Sequence, residues 1–306
     1  MKAGKKPDRG TMITPIQIRH VDAPLGHHVV NADLNRLDDA TFAAIEDAFN
    51  RYGVIVIEGQ TLSPDAQLAF TRRLGKAVRY PIADFQLPGF PDIFVVSNVI
   101  EDGRPIGMAD AGRLWHTDMI FTEAPPRCSL LYALEVPTRD GTPLGDTLFA
   151  STAAAYDALP AATRRRIDGL QTINSYRRYA ERRHREEAQS KPETTGQAVR
   201  DKHQDAHPDI VHPLVRTHPI TGRRCLYISD GTTVEIAGWS QAESDALIAE
   251  LLAHMTRPEF VYRHRWQVGD VVIWDNCSAI HQALGDYELP ERRRMHRTTA
   301  EGTRPF

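Results

Sequence analysis

The chain is poor in cysteine: Cys128, Cys225 and Cys277 are three in 306 residues, odd in number and far apart. That excludes a disulfide framework and a cysteine-rich metal cluster, and leaves reduced thiols, as expected of a cytoplasmic protein. No apolar run approaches the roughly 20 residues that span a bilayer, so no membrane segment is expected. There is no excess of charge of one sign either. Lys and Arg number 37 against 40 Asp and Glu, a formal net charge of −3, which argues against nucleic acid or a membrane surface as the main partner. The N-terminus lacks an apolar stretch and is polar and Lys-rich, so it reads as a disordered tail over residues 1–13 rather than a signal peptide. Repeats and low-complexity tracts are absent.

What is present suffices for a sizeable core, with 41% hydrophobic residues. Residues 14–306 read as one mixed, mainly β domain. Phe42, Ile45, Phe49 and Tyr52 recur at helical spacing between a capping Asp38 and Gly53. Val54 to Ile57 then reads as a buried strand. Ser63-Pro64 opens a second helix that Gly75 closes. Ser240 and Glu243 form a capping box before Leu247, Leu251 and Leu252. Short β-type runs fall at 93–96, 129–133, 214–217, 225–228, 260–265 and 271–274, separated by Gly and Pro turns. Such a pattern is compatible with a sandwich or barrel with peripheral helices. The stretch 176–210 is dense in charge and nearly free of large aliphatic residues, so it is expected at the surface as a lid or an insertion.

The chemistry concentrates at Trp115-His116-Thr117-Asp118. On a strand, residues two apart point to one side, so an imidazole and a carboxylate would approach one metal together. Two His and one carboxylate on one face of an octahedron leave three positions open, the non-haem iron(II) arrangement. The spacing alone is weak. His184-Arg-Glu186, His203-Gln-Asp205 and His207-Pro-Asp209 share it, but they lie in the charged stretch without apolar flanks and read as solvated side chains. His116 differs, being surrounded by Leu114, Trp115, Met119, Ile120 and Phe121. A buried ionisable pair in that setting needs a partner. Near the C-terminus, the run Val271 to Trp274 is followed by His281 and then by Arg292, Arg293, Arg294 and Arg297. On an extended strand Arg293 and Arg297 share a face, and Arg suits bidentate capture of a carboxylate. A solvated edge strand is the competing reading of that Arg run.

Taken together, the chain resembles the taurine dioxygenase / 2,4-dichlorophenoxyacetate dioxygenase family of iron(II)- and 2-oxoglutarate-dependent oxygenases. The matching stretches run from Trp115-His-Thr-Asp118 and Gly145-Asp-Thr147 through His212 to Pro219 and Thr221-Gly222-Arg223. Phe260 to Trp266, Gly269-Asp270, Trp274-Asp-Asn276, His281, Asp286-Tyr287 and Met295-His-Arg297 complete the set. The resemblance implies a double-stranded β-helix (jelly roll) core with peripheral α-helices. It implies iron(II) held by His116, Asp118 and His281, with 2-oxoglutarate as cosubstrate, its distal carboxylate on Thr147 and Arg293, and dioxygen as the second cosubstrate. Arg297 matches the position that meets the acidic group of the primary substrate, and Trp274 an aromatic near the metal.

Tyr80 and Gly112 stand where the taurine enzymes carry a substrate-binding His and an Asn, which points away from taurine itself. The expected activity is hydroxylation of a small anionic organic substrate, of aryloxyalkanoate, sulfonate or alkyl sulfate type, with 2-oxoglutarate decarboxylated to succinate and CO2. Two other readings are a non-catalytic jelly-roll sensor of metal or anions and a biosynthetic hydroxylase or desaturase. The family also implies a homo-oligomer, a dimer or tetramer.

Overall fold

Hydrophobic alternation builds one large sheet, and the structure, a computed structural model, describes residues 15–80, 83–181 and 207–306 of it and its surroundings. The strands that matter for the site are β1 Gln17–Arg19, β2 His27–Val30, β3 Val54–Ile57, β4 Gln86–Leu87, β5 Phe90–Ser97, β6 Cys128–Glu135, β7 Thr147–Ser151, β8 Val261–His264, β9 Val271–Asp275, β10 Ala279–Ala283 and β11 Arg294–Ala300. Eight of them form a sheet in the order β1-β2-β3-β9-β6-β11-β5-β4, antiparallel except for the β2–β3 pair. A second sheet, β8-β7-β10, is antiparallel throughout. A third joins Ile210–Pro213, Gln171–Asn174 and Thr233–Ile236.

The period-2 pattern of β3 shows how the core divides. Ile55 and Ile57 pack outward with Phe42, Ile45, Phe49 and Phe70 of the helices α1 Asp39–Tyr52 and α2 Pro64–Leu74. Val54 and Val56 pack inward with Phe149, Trp266, Trp274 and Met295. Functional side chains therefore belong to the inner face, where the large sheet meets β7.

Both helices begin and end where their caps dictate. Asp38 accepts from the Thr41 amide and Ser63 from the Ala66 amide, and Gly53 and Gly75 close the last turns. The capping box of Ser240 and Glu243 is formed and opens the helix Gln241–Met255. The 93–96, 129–133 and 271–274 runs are strands within slightly longer ones.

The 225–228 run is a strand only over Arg224–Leu226 and the 260–265 run only over Val261–His264, after a short 3-10 turn, and a further expectation fails outright. Leu114 to Asp118 is not a strand. His116 makes only an isolated antiparallel bridge to His281, and Met119 turns the chain at φ 51°. The ligand pair is thus held by a loop fastened to β10. The Arg run is not a solvated edge either, because β11 lies between β6 and β5. Arg293, Met295 and Arg297 are buried, while Arg292 and Arg294 pair with Glu135 and Arg294 also with Glu101.

The expected tail at 1–13 lies outside the described residues. So does most of the expected lid or insertion at 176–210, of which Tyr176 to Glu181 is helical and 207–209 leads into a strand. Among the described residues no helix is long and apolar enough to cross a membrane.

Beside the buried Arg residues, β11 turns His296 toward α2, whose Gln67 amide donates to the His296 carbonyl at 3.0 Å. Burial, with the Arg294 charge adding to it, pulls the His296 imidazole down to about 4. In the unfolded chain the ring takes its proton near pH 6.5. The unfolded state therefore binds the extra proton between those values, and the stability contributed by neutral His296 is full above pH 6.5 and lost as pH falls toward 4. The expected outcome is that His296→Gln flattens the loss of stability between pH 6.5 and 5, by roughly 2 kcal/mol at most. Urea melts of both proteins across that range check this, and parallel curves would remove His296 from the acid sensitivity.

Candidate metal centre

Three adjacent strands of the large sheet converge on one carboxylate. Asp118 is 3% exposed. Its Oδ2 accepts from Ser129 Oγ of β6 at 2.6 Å and from Trp274 Nε1 of β9 at 3.1 Å. Ser129 and Trp274 are direct register partners, and Thr299 of β11 sits opposite Ser129 on its other side. The Asp118 amide donates to Asn276 Oδ1 at 3.2 Å, and the Thr117 hydroxyl donates to the Asn276 carbonyl at 2.7 Å. These bonds fix the carboxylate plane and leave Oδ1 facing the two histidines.

His116 Nε2 lies 3.6 Å and His281 Nε2 3.9 Å from Asp118 Oδ1, and the three donor atoms fall within 4.8 Å of one another. His116 Nδ1 lies 2.8 Å from the Leu114 carbonyl, which can only accept, so in the neutral ring the proton sits on Nδ1. Its Nε2 then turns a lone pair toward the carboxylate oxygen, an arrangement that suits a cation between them. His281, on β10, is wedged between Phe149 (5.9 Å, stacked), Trp274 (4.8 Å) and His116 (4.1 Å). Its Nδ1 is buried and makes no hydrogen bond. Gly112 bends the loop at φ 77°, which suits glycine, and a Cβ there would lie 3.1 Å from His116 Cε1, close enough to press on the ring.

The electrostatics match the donor set. Burial by itself would raise the Asp118 carboxyl, but the Arg297 charge beside it outweighs that and holds the group well below the usual carboxylate range. Arg297 Nη2 is 3.0 Å from Asp118 Oδ1. Burial and then the neighbouring His116 ring hold His281 well below the ordinary imidazole range, so it stays neutral. An ionised carboxylate and neutral imidazole nitrogens are the ligand forms a divalent cation requires. The residues present therefore fit iron(II).

Beyond His281 the sheet β8-β7-β10 carries the second part of the site. Phe149 pairs with His281 and Thr147 with Ala283, so Thr147 shares the face of His281 at one pleat, ~7 Å, along the strand. Thr147 Oγ1 accepts from Trp266 Nε1 at 3.0 Å, which leaves its hydroxyl proton to donate elsewhere. Arg293 is 2% exposed, its Nε has no hydrogen-bond partner, and a Cβ at Gly145 would lie 3.4 Å from that nitrogen. The Tyr287 ring lies under both Arg293 (5.9 Å) and Arg113 (5.5 Å). Arg113 packs flat on Gly285, where a Cβ would come 2.4 Å from its Nη1, and that nitrogen is likewise buried without a partner. Two guanidinium groups thus stand together among the described residues with no carboxylate at ion-pair distance.

The open side of His116 and Asp118 is a cavity of about 120 Å³. Tyr80, Phe94, Phe121, Tyr176 and Tyr179 give it an aromatic lining, and Arg297, over the Tyr80 ring at 5.3 Å, reaches into it. Asp110 and Asp230 also line it, each engaged with neighbours.

All eight residues singled out from the sequence meet here: the His116, Asp118 and His281 cluster, Thr147 and Arg293 on one side, Arg297, Tyr80 and Gly112 on the other. Sequence reasoning missed Ser129, Asn276, Tyr287 and Arg113 as contributors. For Ser129 a signal existed, a hydroxyl inside an otherwise buried apolar strand. Arg113 offered none. The competing His207-Pro-Asp209 pair is spent elsewhere, Asp209 accepting from Ser175 Oγ at 2.5 Å.

The family model of the taurine catabolism dioxygenase TauD, TfdA family matches residues 17–299. The chain is 35% identical over 291 residues to pentalenolactone F synthase of Streptomyces arenae, covering 94% of each chain. It is 34% identical over 279 residues to the alpha-ketoglutarate-dependent 2,4-dichlorophenoxyacetate dioxygenase of Burkholderia sp. (strain RASC), covering 88% of each. Among solved structures, AAD-2 in complex with Mn(II) and N-oxalylglycine is similar at a TM-score of 0.76 and 30% identity, covering 95% of this chain and 99% of that one.

Ser129→Ala tests the carboxylate clamp. The variant is expected to fold, because a small side chain replaces a hydroxyl, but to bind Fe(II) or Mn(II) about 10-fold more weakly as Asp118 loses its shortest anchor. Calorimetric titration of the metal checks this, and wild-type affinity in the variant would show that Trp274 and Asn276 suffice.

Proposed function

The chain belongs to the TauD/TfdA family and is an iron(II)- and 2-oxoglutarate-dependent dioxygenase, and on that premise we propose which residues do what and on what kind of substrate. His116, Asp118 and His281 hold the metal. Thr147 and Arg293 take the distal carboxylate of 2-oxoglutarate, with Arg113 as a second cation beside it. Arg297 meets the acidic group of the primary substrate. The core is a double-stranded β-helix, the large sheet and β8-β7-β10 forming its two faces. The observation that carries this reading is that one buried carboxylate and two imidazoles cluster beside a lone Arg297, while Arg293 and Arg113 share the Tyr287 ring without a carboxylate partner among the described residues.

When bound, iron(II) with 2-oxoglutarate supplies activation of dioxygen coupled to decarboxylation to succinate and CO2. The protein's own part is positioning. The clamp of Ser129, Trp274 and Asn276 keeps Asp118 from rotating. Phe149 and Trp274 hold the His281 ring and keep water from that side. The aromatic lining from Tyr80 to Tyr179 favours a substrate with an apolar body, and Arg297 fixes its anionic end. A small aryloxyalkanoate, sulfonate or alkyl sulfate meets both demands. Similarity to a pentalenolactone F synthase supports a second reading, a biosynthetic oxidation of a carboxylated apolar scaffold.

A panel of aryloxyalkanoates, sulfonates, alkyl sulfates and carboxylated terpenoids, scored by succinate release, separates these readings. If no anionic substrate raised release above the uncoupled background, the assignment of Arg297 would fall. Arg293→Ala is expected to raise the dissociation constant for 2-oxoglutarate at least 10-fold, read by anaerobic titration of the visible band of the iron(II) complex. Arg297→Ala should instead raise KM for the primary substrate; because that side chain also touches Asp118, metal affinity is measured alongside. For Arg113→Gln a smaller rise in the 2-oxoglutarate dissociation constant is expected, about 3- to 10-fold, with binding of the monoacid 2-oxobutanoate unchanged. An unchanged 2-oxoglutarate constant in Arg113→Gln would confine the distal carboxylate to Arg293 and Thr147.

A further inference from the structure

On the far side of β9 from the metal centre, buried polar groups close on one another. A cavity walled by Pro125, Pro126, Pro219 and Ile220 has Arg216, His218, Asp275 and Cys277 on its floor. The Arg216 guanidinium meets the Tyr227 side chain and is balanced by Asp275. Asp275 Oδ2 also accepts from His218 Nε2 at 2.8 Å and from Ser278 Oγ at 2.6 Å. That cluster is complete in itself.

Thr147, on the other side of the molecule's inner face, is not. It is 4% exposed, and among the described residues its Oγ1 has one hydrogen-bond partner, Trp266 Nε1 at 3.0 Å. An indole N–H can only donate. Thr147 Oγ1 must therefore accept from it, and the threonine proton is left to seek another acceptor. A Tyr, His or Gln in place of Trp266 could accept as well as donate, and the threonine proton could then be spent inside the protein.

Trp266 is also held still. It is wholly buried, in the inner core with Leu25, Phe149 and Trp274. Its ring meets that of His264 at 4.6 Å, nearly perpendicular. His264 is the register partner of Thr147, which ties the segment carrying the indole to β7. Asp270 Oδ2 lies 3.1 Å from His264 Nε2 and accepts from the Gln267 amide at 2.9 Å, so residues on both sides of Trp266 are fastened to one carboxylate. A donor fixed in this way needs no rearrangement when a ligand arrives.

We propose that Trp266 is a positioning residue for the cosubstrate: its N–H fixes the Thr147 hydroxyl as a donor to the distal carboxylate of 2-oxoglutarate, without itself touching that molecule. The proposal rests on the role given to Thr147 above. It adds that the polarity of the hydroxyl is set from the protein side, so the subsite is built for an acceptor.

Anaerobic titration of the iron(II) protein with 2-oxoglutarate, and in parallel with 2-oxobutanoate, which lacks the distal carboxylate, tests it in Trp266→Phe, Thr147→Val and the double variant. Trp266→Phe is expected to raise the 2-oxoglutarate dissociation constant about 3- to 10-fold and to leave that of 2-oxobutanoate unchanged. The double variant should bind 2-oxoglutarate no more weakly than Thr147→Val alone, because the indole acts only through the hydroxyl. Trp266→Phe also removes interior volume, so a measurement on the intact indole accompanies it. In the 15N-labelled, Zn(II)-loaded protein the Trp266 signal is the one of four indoles that Thr147→Val moves furthest. It should shift downfield with 2-oxoglutarate and stay in place with 2-oxobutanoate, since a hydroxyl that donates becomes a better acceptor. Binding of the two acids weakened equally in Trp266→Phe, or unchanged for both, would overturn the role of Trp266 and leave that of Thr147 standing. Additive losses in the double variant, or an indole signal indifferent to the distal carboxylate, would do the same. Wild-type binding of 2-oxoglutarate in Thr147→Val would remove the role of Thr147 itself.

Discussion

A carboxylate buried in the middle of a sheet must be held and neutralised, and Asp118 organises the molecule around that demand. Its Oδ2 is anchored by Ser129 and Trp274, its amide by Asn276, and its Oδ1 faces two imidazoles and Arg297. Apart from His116, which shares the loop of Asp118, those groups come from β6, β9, β10 and β11 and the turn after β9. Three of the strands are neighbours in the large sheet, so the register that pairs Ser129 with Trp274 also sets the distance at which Arg297 meets the carboxylate. A slip of one residue would turn Ser129 and Trp274 to the helix side and leave Asp118 without its clamp. The strand pairing and the site are thus one constraint.

The two flanks of the centre differ in kind. Toward β7 the chain gathers two cations, Arg293 and Arg113, around Tyr287, made possible by glycines at 145 and 285. Toward the loop of Tyr80 and the segment ending in Tyr179 it gathers aromatic rings and a single cation, Arg297. The proposed pairing of a dianionic cosubstrate with a mostly apolar, singly acidic substrate draws on that asymmetry.

Much of this was legible in the sequence because the signals were local. Asp38, Ser63 and Ser240 marked helix starts through their caps, and Val54 to Ile57 marked a strand buried on both faces. The His116 and Asp118 pair was legible as chemistry but not as structure. Apolar neighbours suggested a strand, whereas a positive φ at Met119 and a single bridge to His281 make it a pinned loop. Spacing alone cannot distinguish a pair aligned by a strand from one aligned by a turn. Arg293 and Arg297 were visible as sharing one face because they are four apart, but not as buried: Arg293 lies just before β11, and that this strand is flanked on both sides is decided by distant pairing. Arg113 was not, because its partners Tyr287 and Gly285 are more than a hundred residues away and nothing local announces them. The charged stretch at 176–210 was legible only as composition; its described ends reach the cavity through Tyr176 and Tyr179.

The end of β9 faces two ways at once. Asn276 turns toward Asp118, while Asp275 and Cys277, on either side of it, turn toward Arg216 and the prolines. A chain that inherits this arrangement cannot drift freely at any of the three positions. A substitution tolerated by one cavity is screened by the other, and a variant library aimed at the iron side will return changes near Arg216 as compensations.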